Sequence, residues 1–147
     1  MVERAGKRIT ILLVEDNPGD IRLTREAFAQ TRTPIELHVA TDGVEALDFL
    51  HGFEPFQGVP RPDLILLDLN LPRKNGREVL AEIKNDRALR RIPVIVLTTS
   101  TAEEDILATY DLHANSYITK PVDLGQFDEI VQTIERFWLA IVRLPSI

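Results

Sequence analysis

Short apolar segments alternate with amphipathic segments along the chain. Five short segments are rich in aliphatic and β-branched residues, which is typical of buried strands, and they occupy residues 9–14, 35–40, 64–67, 94–97 and 116–119. The other segments place apolar residues three or four apart, as amphipathic helices do, and they occupy residues 18–30, 43–50, 76–85, 103–110 and 123–139. This alternation predicts a three-layer α/β fold, with a parallel sheet and right-handed crossovers.

Polar residues that could carry chemistry follow directly after four of the predicted strands. Glu15 and Asp16 follow the first strand, Asp68 the third, Thr98 the fourth and Lys120 the fifth. The carboxyl ends of parallel strands meet at one edge of a sheet, where open α/β folds bind their ligands. Taken singly, Asp68 could be a capping or turn residue and Glu15-Asp16 a turn, and Thr98 and Lys120 could equally be structural. That interpretation does not explain why all five occur at strand ends.

The three carboxylates predict a metal site. If the strand order is 2-1-3-4-5, the first and third strands are neighbours, and Glu15, Asp16 and Asp68 converge in one cleft. Their mutual repulsion is costly unless a cation offsets it, and an all-oxygen ligand set favours Mg²⁺ over Zn²⁺. Lys120 could add a positive charge and Thr98 a hydroxyl hydrogen bond, both to the oxygens of a phosphoryl group. Together these residues predict phosphoryl transfer to Asp68 as the nucleophile.

The motifs at these strand ends resemble those of the receiver domains of two-component response regulators. The resemblance rests on the stretches ILLVEDNPGD, LILLDLNLPRKNG, PVIVLTTS and SYITKPVD, and it covers about residues 9–139. It implies a flavodoxin-like, doubly wound sandwich with a five-stranded parallel sheet in the order 2-1-3-4-5. The RPDL, DLNLP, GREVLAEIK and FWLAIVRLP stretches further resemble the small regulators of cyanobacterial phytochrome-type histidine kinases.

The resemblance implies how the carboxylates are used. Glu15 or Asp16 would hold Mg²⁺ directly or through water, and the backbone carbonyl of Asn70 would complete the metal shell. Asp68 would accept a phosphoryl group from a kinase phosphohistidine. The chain would then be a signalling domain with self-catalysed phosphoryl transfer and slow autodephosphorylation, and not an enzyme in the usual sense.

The resemblance also assigns the residues around the phosphoryl group. Thr98 and Lys120 would bind its oxygens, and Tyr117 would be the switch aromatic that turns inward when Thr98 moves toward the phosphate. An ordinary edge-strand aromatic is the alternative for Tyr117. Thr99 departs from the very small residue that is usual at its position, which leaves the lifetime of the phosphorylated state open.

Composition and charge narrow the possible functions. The 147 residues fit one receiver domain, with a core over about residues 9–139 and an extension over about 140–147, and we expect no output domain. A formal net charge of −6 argues against a nucleic-acid partner or an anionic membrane surface. The chain has no cysteine, which excludes thiolate chemistry, and no apolar run of membrane-spanning length. We therefore expect a cytoplasmic protein.

Two other classes of function remain as alternatives. Phosphatases of the haloacid-dehalogenase type also use an aspartate after an apolar strand, but they need a second aspartate two residues later as general acid and base. That position is Asn70 here, and an amide cannot transfer the proton. A pseudo-receiver that binds without chemistry would lack the acidic pair, the acceptor or the lysine, and this chain has all of them.

The last predicted helix carries more apolar surface than one sheet-covering stripe requires. An exposed patch of this kind marks a protein interface, and receivers often pair through their last helix and strand. We therefore expect a homodimer, besides a downstream partner that the sequence does not identify. The alternative is that the loop over residues 51–62 folds over the helix. The predicted dimer contacts are Phe137, Trp138, Leu139, Ile141 and Val142.

Overall fold

The computed structural model describes residues 8–31, 34–98, 116–119 and 125–130, together with residues 132 and 136. The strands are β1 (Ile9–Val14), β2 (Ile35–Ala40), β3 (Leu64–Asp68), β4 (Val94–Thr98) and β5 (Ser116–Thr119). The helices between the first four strands are α1 (Pro18–Ala29), α2 (Gly43–His51) and α3 (Gly76–Asn85), and residues 125–130 are also helical. The helix predicted over residues 103–110 lies outside the described residues. Among the helices in the described ranges, none is long and apolar enough to cross a bilayer.

All five strands form one parallel sheet in the order β2-β1-β3-β4-β5. β1 pairs with β2 from Ile9 opposite Ile35, and β3 pairs with β4 so that Asp68 lies opposite Leu97. The chain crosses from β2 past β1 to β3, so the carboxyl ends of β1 and β3 lie side by side. The structure therefore confirms the predicted parallel sheet and its strand order.

Helices cover both faces of the sheet, which explains why the central strands show no polar alternation. Successive side chains of β1 and β3 point into two different cores. On one face, α2 and α3 pack over the strand residues Leu12, Val14, Ile65 and Leu67. On the other face, α1 and residues 125–130 pack over the strand residues Ile11, Leu13, Leu64 and Leu66.

Side-chain caps start the helices at the carboxyl edge of the sheet. Asn17 accepts a hydrogen bond from the backbone N–H of Asp20 at the start of α1. Asp42 and Asn75 cap α2 and α3 in the same way, each accepting from the N–H three residues further on. At α3 the Glu78 side chain also accepts from the N–H of Asn75, which completes a capping box. The three helix starts therefore surround the edge where the sequence predicted the site.

Aromatic side chains anchor the long loop between α2 and β3. Gly52 ends α2 with a φ of 69°, a conformation that favours glycine. The ring centroid of Phe56 lies 5.5 Å from that of Phe49 on α2. The ring of His38 on β2 also contacts Phe49, with the centroids 5.2 Å apart. The loop thus packs on the face covered by α2 and α3, whereas residues 125–130 cover the opposite face. The alternative that this loop covers the final helix is therefore wrong for the described part of that helix.

Candidate functional site

Three carboxylates lie together at the carboxyl edge of the sheet. Glu15 and Asp16 directly follow β1, and Asp68 is the last residue of β3. One carboxylate oxygen from each lies within 4.8 Å of the others. Glu15 and Asp68 are only 1% and 3% exposed, whereas Asp16 is exposed. The structure therefore brings together the three carboxylates that the sequence predicted, and we call them the carboxylate cluster.

Hydrogen bonds orient the two buried carboxylates. The Glu15 N–H donates to the carbonyl of Ala40 at 2.9 Å, and Glu15 Oε2 accepts from the N–H of Asn17 at 3.3 Å. Asp68 Oδ1 accepts from the N–H of Asn70 at 3.0 Å. Each carboxylate is thus held by the backbone two residues further along the chain. The second of these bonds also fixes the backbone at Asn70, whose carbonyl is a predicted metal ligand.

The start of α3 lies directly against the backbone at the end of β3. The Gly76 N–H donates to the carbonyl of Leu69 at 3.1 Å. A Cβ at Gly76 would lie 2.3 Å from the carbonyl oxygen of Asp68 and 2.5 Å from Leu69 Cα. These are backbone atoms that cannot move without displacing β3, so only glycine fits here. The β3–α3 loop therefore leaves Asp68 and returns to it within a few residues.

The start of α2 holds the β3–α3 loop from the other side. Arg73 has a φ of 66°, and its Nη1 donates to Asp42 Oδ2 at 3.2 Å. Asp42 Oδ1 also accepts from the N–H of Glu45 at 2.7 Å as the cap of α2. A Cβ at Gly43 would lie 1.9 Å from the carbonyl oxygen of Lys74, so helix and loop meet backbone to backbone. One aspartate thus links a helix start to the loop that carries Asn70.

Sequence reasoning missed this contact between α2 and the loop. Its only signal is the Asp42-Gly43 pair after β2, where a capping residue is followed by a glycine that the helix itself does not require.

The side chain of Lys74 forms an ion pair with Glu82 of α3. The hydrogen bond that the Lys74 ammonium donates to the Glu82 carboxylate raises the pKa of Lys74 above its ordinary value. Lys74 therefore stays cationic at neutral pH.

The carboxylate cluster has the chemistry of a site for a hard divalent cation. All three side chains offer oxygen ligands, and two of them are buried. Two unit charges at 4 Å repel by about 4 kcal/mol at an effective dielectric constant near 20. A divalent cation offsets this repulsion, and carboxylate oxygens suit Mg²⁺ or Mn²⁺ better than Zn²⁺. The residues present therefore fit the predicted metal.

The other predicted site residues lie on or after the two strands beyond β3. Thr98 is the last residue of β4 and lies opposite Thr119, and Tyr117 lies opposite Val96. The side chains of Thr98 and Tyr117, and the whole of Lys120, lie outside the described residues. Their roles remain predictions. The same holds for the predicted dimer contacts Phe137, Trp138, Leu139, Ile141 and Val142.

Comparison with known protein families identifies the family to which the chain belongs. The model of the response regulator receiver domain matches residues 11–133, which is most of the chain. The chain therefore belongs to the response regulator receiver domain family. Members of this family are signalling domains, which argues against the phosphatase alternative.

Individual relatives resemble the chain over nearly its whole length. The response regulator Rcp1 of Synechocystis sp. strain PCC 6803 is 52% identical over 146 residues, which is 99% of each chain. The crystal structure of the phosphorylated cyanobacterial phytochrome response regulator RcpA is 54% identical, with a TM-score of 0.78 over 95% of this chain and 100% of that one. The Mn²⁺-bound form of Rcp1 is 51% identical, with a TM-score of 0.76 over 94% and 99% of the two chains.

Proposed function

We propose that the chain is a response regulator that accepts a phosphoryl group from a histidine kinase onto Asp68 in a Mg²⁺-dependent reaction. The observation that carries this proposal is the carboxylate cluster at the carboxyl edge of the sheet, in a member of the receiver family. The output would be a conformational change and altered protein contacts. No turnover of a small substrate is required.

Asp68 would be the nucleophile. One of its carboxylate oxygens attacks the phosphorus of the kinase phosphohistidine, so that an O–P bond forms as the N–P bond breaks. The electron pair of the broken bond stays on the histidine nitrogen. The hydrogen bond from the Asn70 N–H to Asp68 Oδ1 orients the carboxylate before transfer. Because the surrounding residues already hold this geometry, little reorganisation is needed in the transition state.

Four groups would hold the metal ion. They are the carboxylates of Glu15, Asp16 and Asp68 and the backbone carbonyl of Asn70. When bound, Mg²⁺ neutralises negative charge on the oxygens of the transferred group. Glu15 is fixed by its buried position and its bond to the Asn17 N–H, so it contributes a preformed ligand. Asp16 is exposed, which places it at the mouth of the site.

Thr98, Lys120 and Tyr117 would complete the response. The register of β3 with β4 supports a place for Thr98 one residue beyond Leu97, which lies opposite Asp68. Its hydroxyl would bind one phosphoryl oxygen, and the Lys120 ammonium another. Movement of Thr98 toward the phosphoryl group would then allow the ring of Tyr117 to turn inward.

The kinase would be of the phytochrome type. Support comes from RcpA, which is a cyanobacterial phytochrome response regulator and shares 54% of its sequence with this chain. Phosphotransfer from a purified phytochrome histidine kinase should be faster than from an unrelated histidine kinase at equal concentration. Equal rates with both kinases would count against this choice of partner.

We also propose a two-fold homodimer formed by the end of the final helix. Its support is the apolar sequence from Phe137 to Val142, which exceeds what one buried stripe requires. Sedimentation should show a dimer for the intact chain and a monomer for a chain cut after Phe137. A monomeric intact chain at micromolar concentration, with and without phosphorylation, would exclude this assembly.

Intact mass spectrometry tests the central proposal. Incubation with acetyl phosphate and Mg²⁺ should add one phosphoryl group, and neither Asp68→Asn nor the parent protein in EDTA should gain it. Equal labelling of Asp68→Asn would show that the acceptor is another residue. A folded parent protein that never gains the group would instead be a pseudo-receiver. Steady turnover of an aryl phosphate would favour the phosphatase alternative.

A further inference from the structure

Exposed arginines are concentrated at the amino edge of the sheet, opposite the carboxylate cluster. The turn over residues 86–92, between α3 and β4, contains Arg87, Arg90 and Arg91, and all three are exposed. They lie together although the whole chain has 23 acidic and only 17 basic residues. Within the described part of the chain, none of the three guanidinium groups forms an ion pair with a carboxylate.

Hydrogen bonds hold the backbone of this turn in place. The carbonyl of Asp86 accepts from the Arg90 N–H at 2.9 Å, and Asp86 Oδ1 accepts from the Ala88 N–H at 2.7 Å. Lys84 Nζ donates to the carbonyl of Arg90 at 3.3 Å and to a second carbonyl of the turn. Arg61 donates to the carbonyl of Ala88, which adds a fourth exposed arginine. A ligand would therefore meet a preformed backbone, and binding would cost little loop ordering.

An exposed aromatic ring lies beside the arginine turn. Phe53 is 58% exposed, and its ring stacks on that of His51 with the centroids 5.1 Å apart. His51 Nδ1 in turn lies 3.8 Å from Asp86 Oδ2, so the loop after α2 meets the turn at this point. One exposed phenylalanine is ordinary. Aromatic residues and arginine together, however, are the residues most enriched in protein-binding surfaces.

We propose that this arginine–aromatic surface binds an acidic segment of a partner protein, one in which carboxylates flank an apolar side chain. Guanidinium groups pair with carboxylates through two parallel hydrogen bonds, and Phe53 would supply the apolar contact. A nucleic acid suits the surface less well, because the net charge of −6 would repel an extended phosphate backbone. The surface comprises Phe53, Arg61, Arg87, Arg90 and Arg91.

The proposed surface is separate from the phosphoryl-transfer site. The carboxylate cluster lies where β1 and β3 end, whereas Arg61 precedes β3 and the turn over residues 86–92 precedes β4. Parallel strands begin at one edge of the sheet and end at the other. A partner bound at the arginine–aromatic surface would therefore leave Asp68 accessible. The inference goes beyond the proposed phosphorylation and does not depend on it.

Amide chemical shifts of the full chain test where a ligand binds. The probe is a synthetic peptide of alternating glutamate and leucine with one central phenylalanine, titrated into ¹⁵N-labelled protein at low salt. We expect the shift changes to be concentrated in residues 52–56 and 86–92, with little change around Asp68. A matched peptide with glutamine in place of every glutamate should not bind.

Matched charge reversals separate a specific surface from a net-charge effect. Arg87→Glu/Arg90→Glu should weaken peptide binding by about tenfold or more, because close charge pairs are reversed. Arg22→Glu/Arg25→Glu changes the net charge equally on α1 and should change binding by less than about twofold. Phe53→Ser should also weaken binding without changing the net charge. The amide spectrum of every variant should keep the peak dispersion of the parent protein, which would show that the variants fold.

Several results would overturn the proposal. The acidic peptide could fail to bind, could shift amides elsewhere, or could lose affinity equally in both double variants. A DNA oligonucleotide bound more tightly than the peptide would identify nucleic acid as the occupant. Self-association of the chain that disappears in Arg87→Glu/Arg90→Glu would identify a second copy of the protein instead.

Discussion

Single residues around Asp68, the proposed phospho-acceptor, fix where its carboxylate lies. The three carboxylates could be predicted because each is polar at the end of an apolar run, and the sheet topology then brings them together. The sequence does not predict two other contacts near the site, which are the close approach of Gly76 to Asp68 and the ion pair of Arg73 with Asp42. Hydropathy patterns carry no information on how close two backbones approach or on which side chain crosses between loops.

Gly76→Ala should destabilise the fold and displace the end of β3. The new Cβ would lie 2.3 Å from the Asp68 carbonyl oxygen, and overpacking of this kind costs about 1–3 kcal/mol. Urea denaturation measures the loss. Gly19→Ala is the matched control, because its Cβ would meet only the Asn17 side chain, at 3.2 Å. Equal stability of the two variants would show that the close approach at Gly76 is not needed.

Asp16→Asn should separate the two effects of charge in the carboxylate cluster. Mg²⁺ affinity should fall by about tenfold, because ligand charge sets affinity for hard cations. Without metal, the same variant should unfold at a higher temperature than the parent, since one repulsive charge is removed. Asp128→Asn removes an exposed carboxylate from the helix that contains residues 125–130. This control should change neither the Mg²⁺ affinity nor the unfolding temperature. An unchanged Mg²⁺ affinity in Asp16→Asn would remove Asp16 from the site.

At the scale of helices and strands, periodicity located the five strands and the first three helices and missed some of their limits. The apolar pattern predicted a third strand over residues 64–67, but β3 extends to Asp68 because backbone pairing with β4 continues under a polar side chain. Hydropathy reports side chains and not backbone hydrogen bonds. The pattern likewise could not show which face the loop after α2 covers. That choice depends on contacts of Phe49 with Phe56 and His38.

Asn75→Ala should weaken α3 at the end that adjoins the site. The Asn75 side chain accepts from the Glu78 N–H at 3.0 Å, and loss of such a cap costs about 1 kcal/mol. Asn75→Asp keeps an acceptor in place and should retain most of the stability. Chemical denaturation compares the three proteins. If Asn75→Asp is as unstable as Asn75→Ala, the hydrogen bond is not the source of the effect.

At the scale of the whole molecule, the first and last described helices share one core. Phe28 of α1 and Phe127 of the final helix are each 5% exposed, and their rings meet edge to face with centroids 5.8 Å apart. Nearly a hundred residues separate the two partners in sequence. The pair therefore joins two helices that are far apart in sequence.

Phe127→Ala should destabilise the entire protein cooperatively. Truncating a buried phenylalanine costs about 3–5 kcal/mol, because both the transfer free energy and a cavity contribute. Thermal unfolding should show a single transition, at a lower temperature than in the parent protein, in which all helices unfold together. Asp128→Ala, on the exposed side of the same helix, should change stability by less than about 0.5 kcal/mol. A separate early transition for the final helix would contradict a shared core.

The position of β2 affects how molecules of this protein behave toward one another. β2 lies at one edge of the described sheet, where a strand from a neighbouring molecule could add to it. The carboxylate of Glu36 lies on this strand, with Oε2 2.6 Å from Nε2 of His38, and both side chains are partly exposed. An added strand would have to desolvate this polar pair. We therefore expect the pair to disfavour intermolecular β-pairing along this otherwise aliphatic edge.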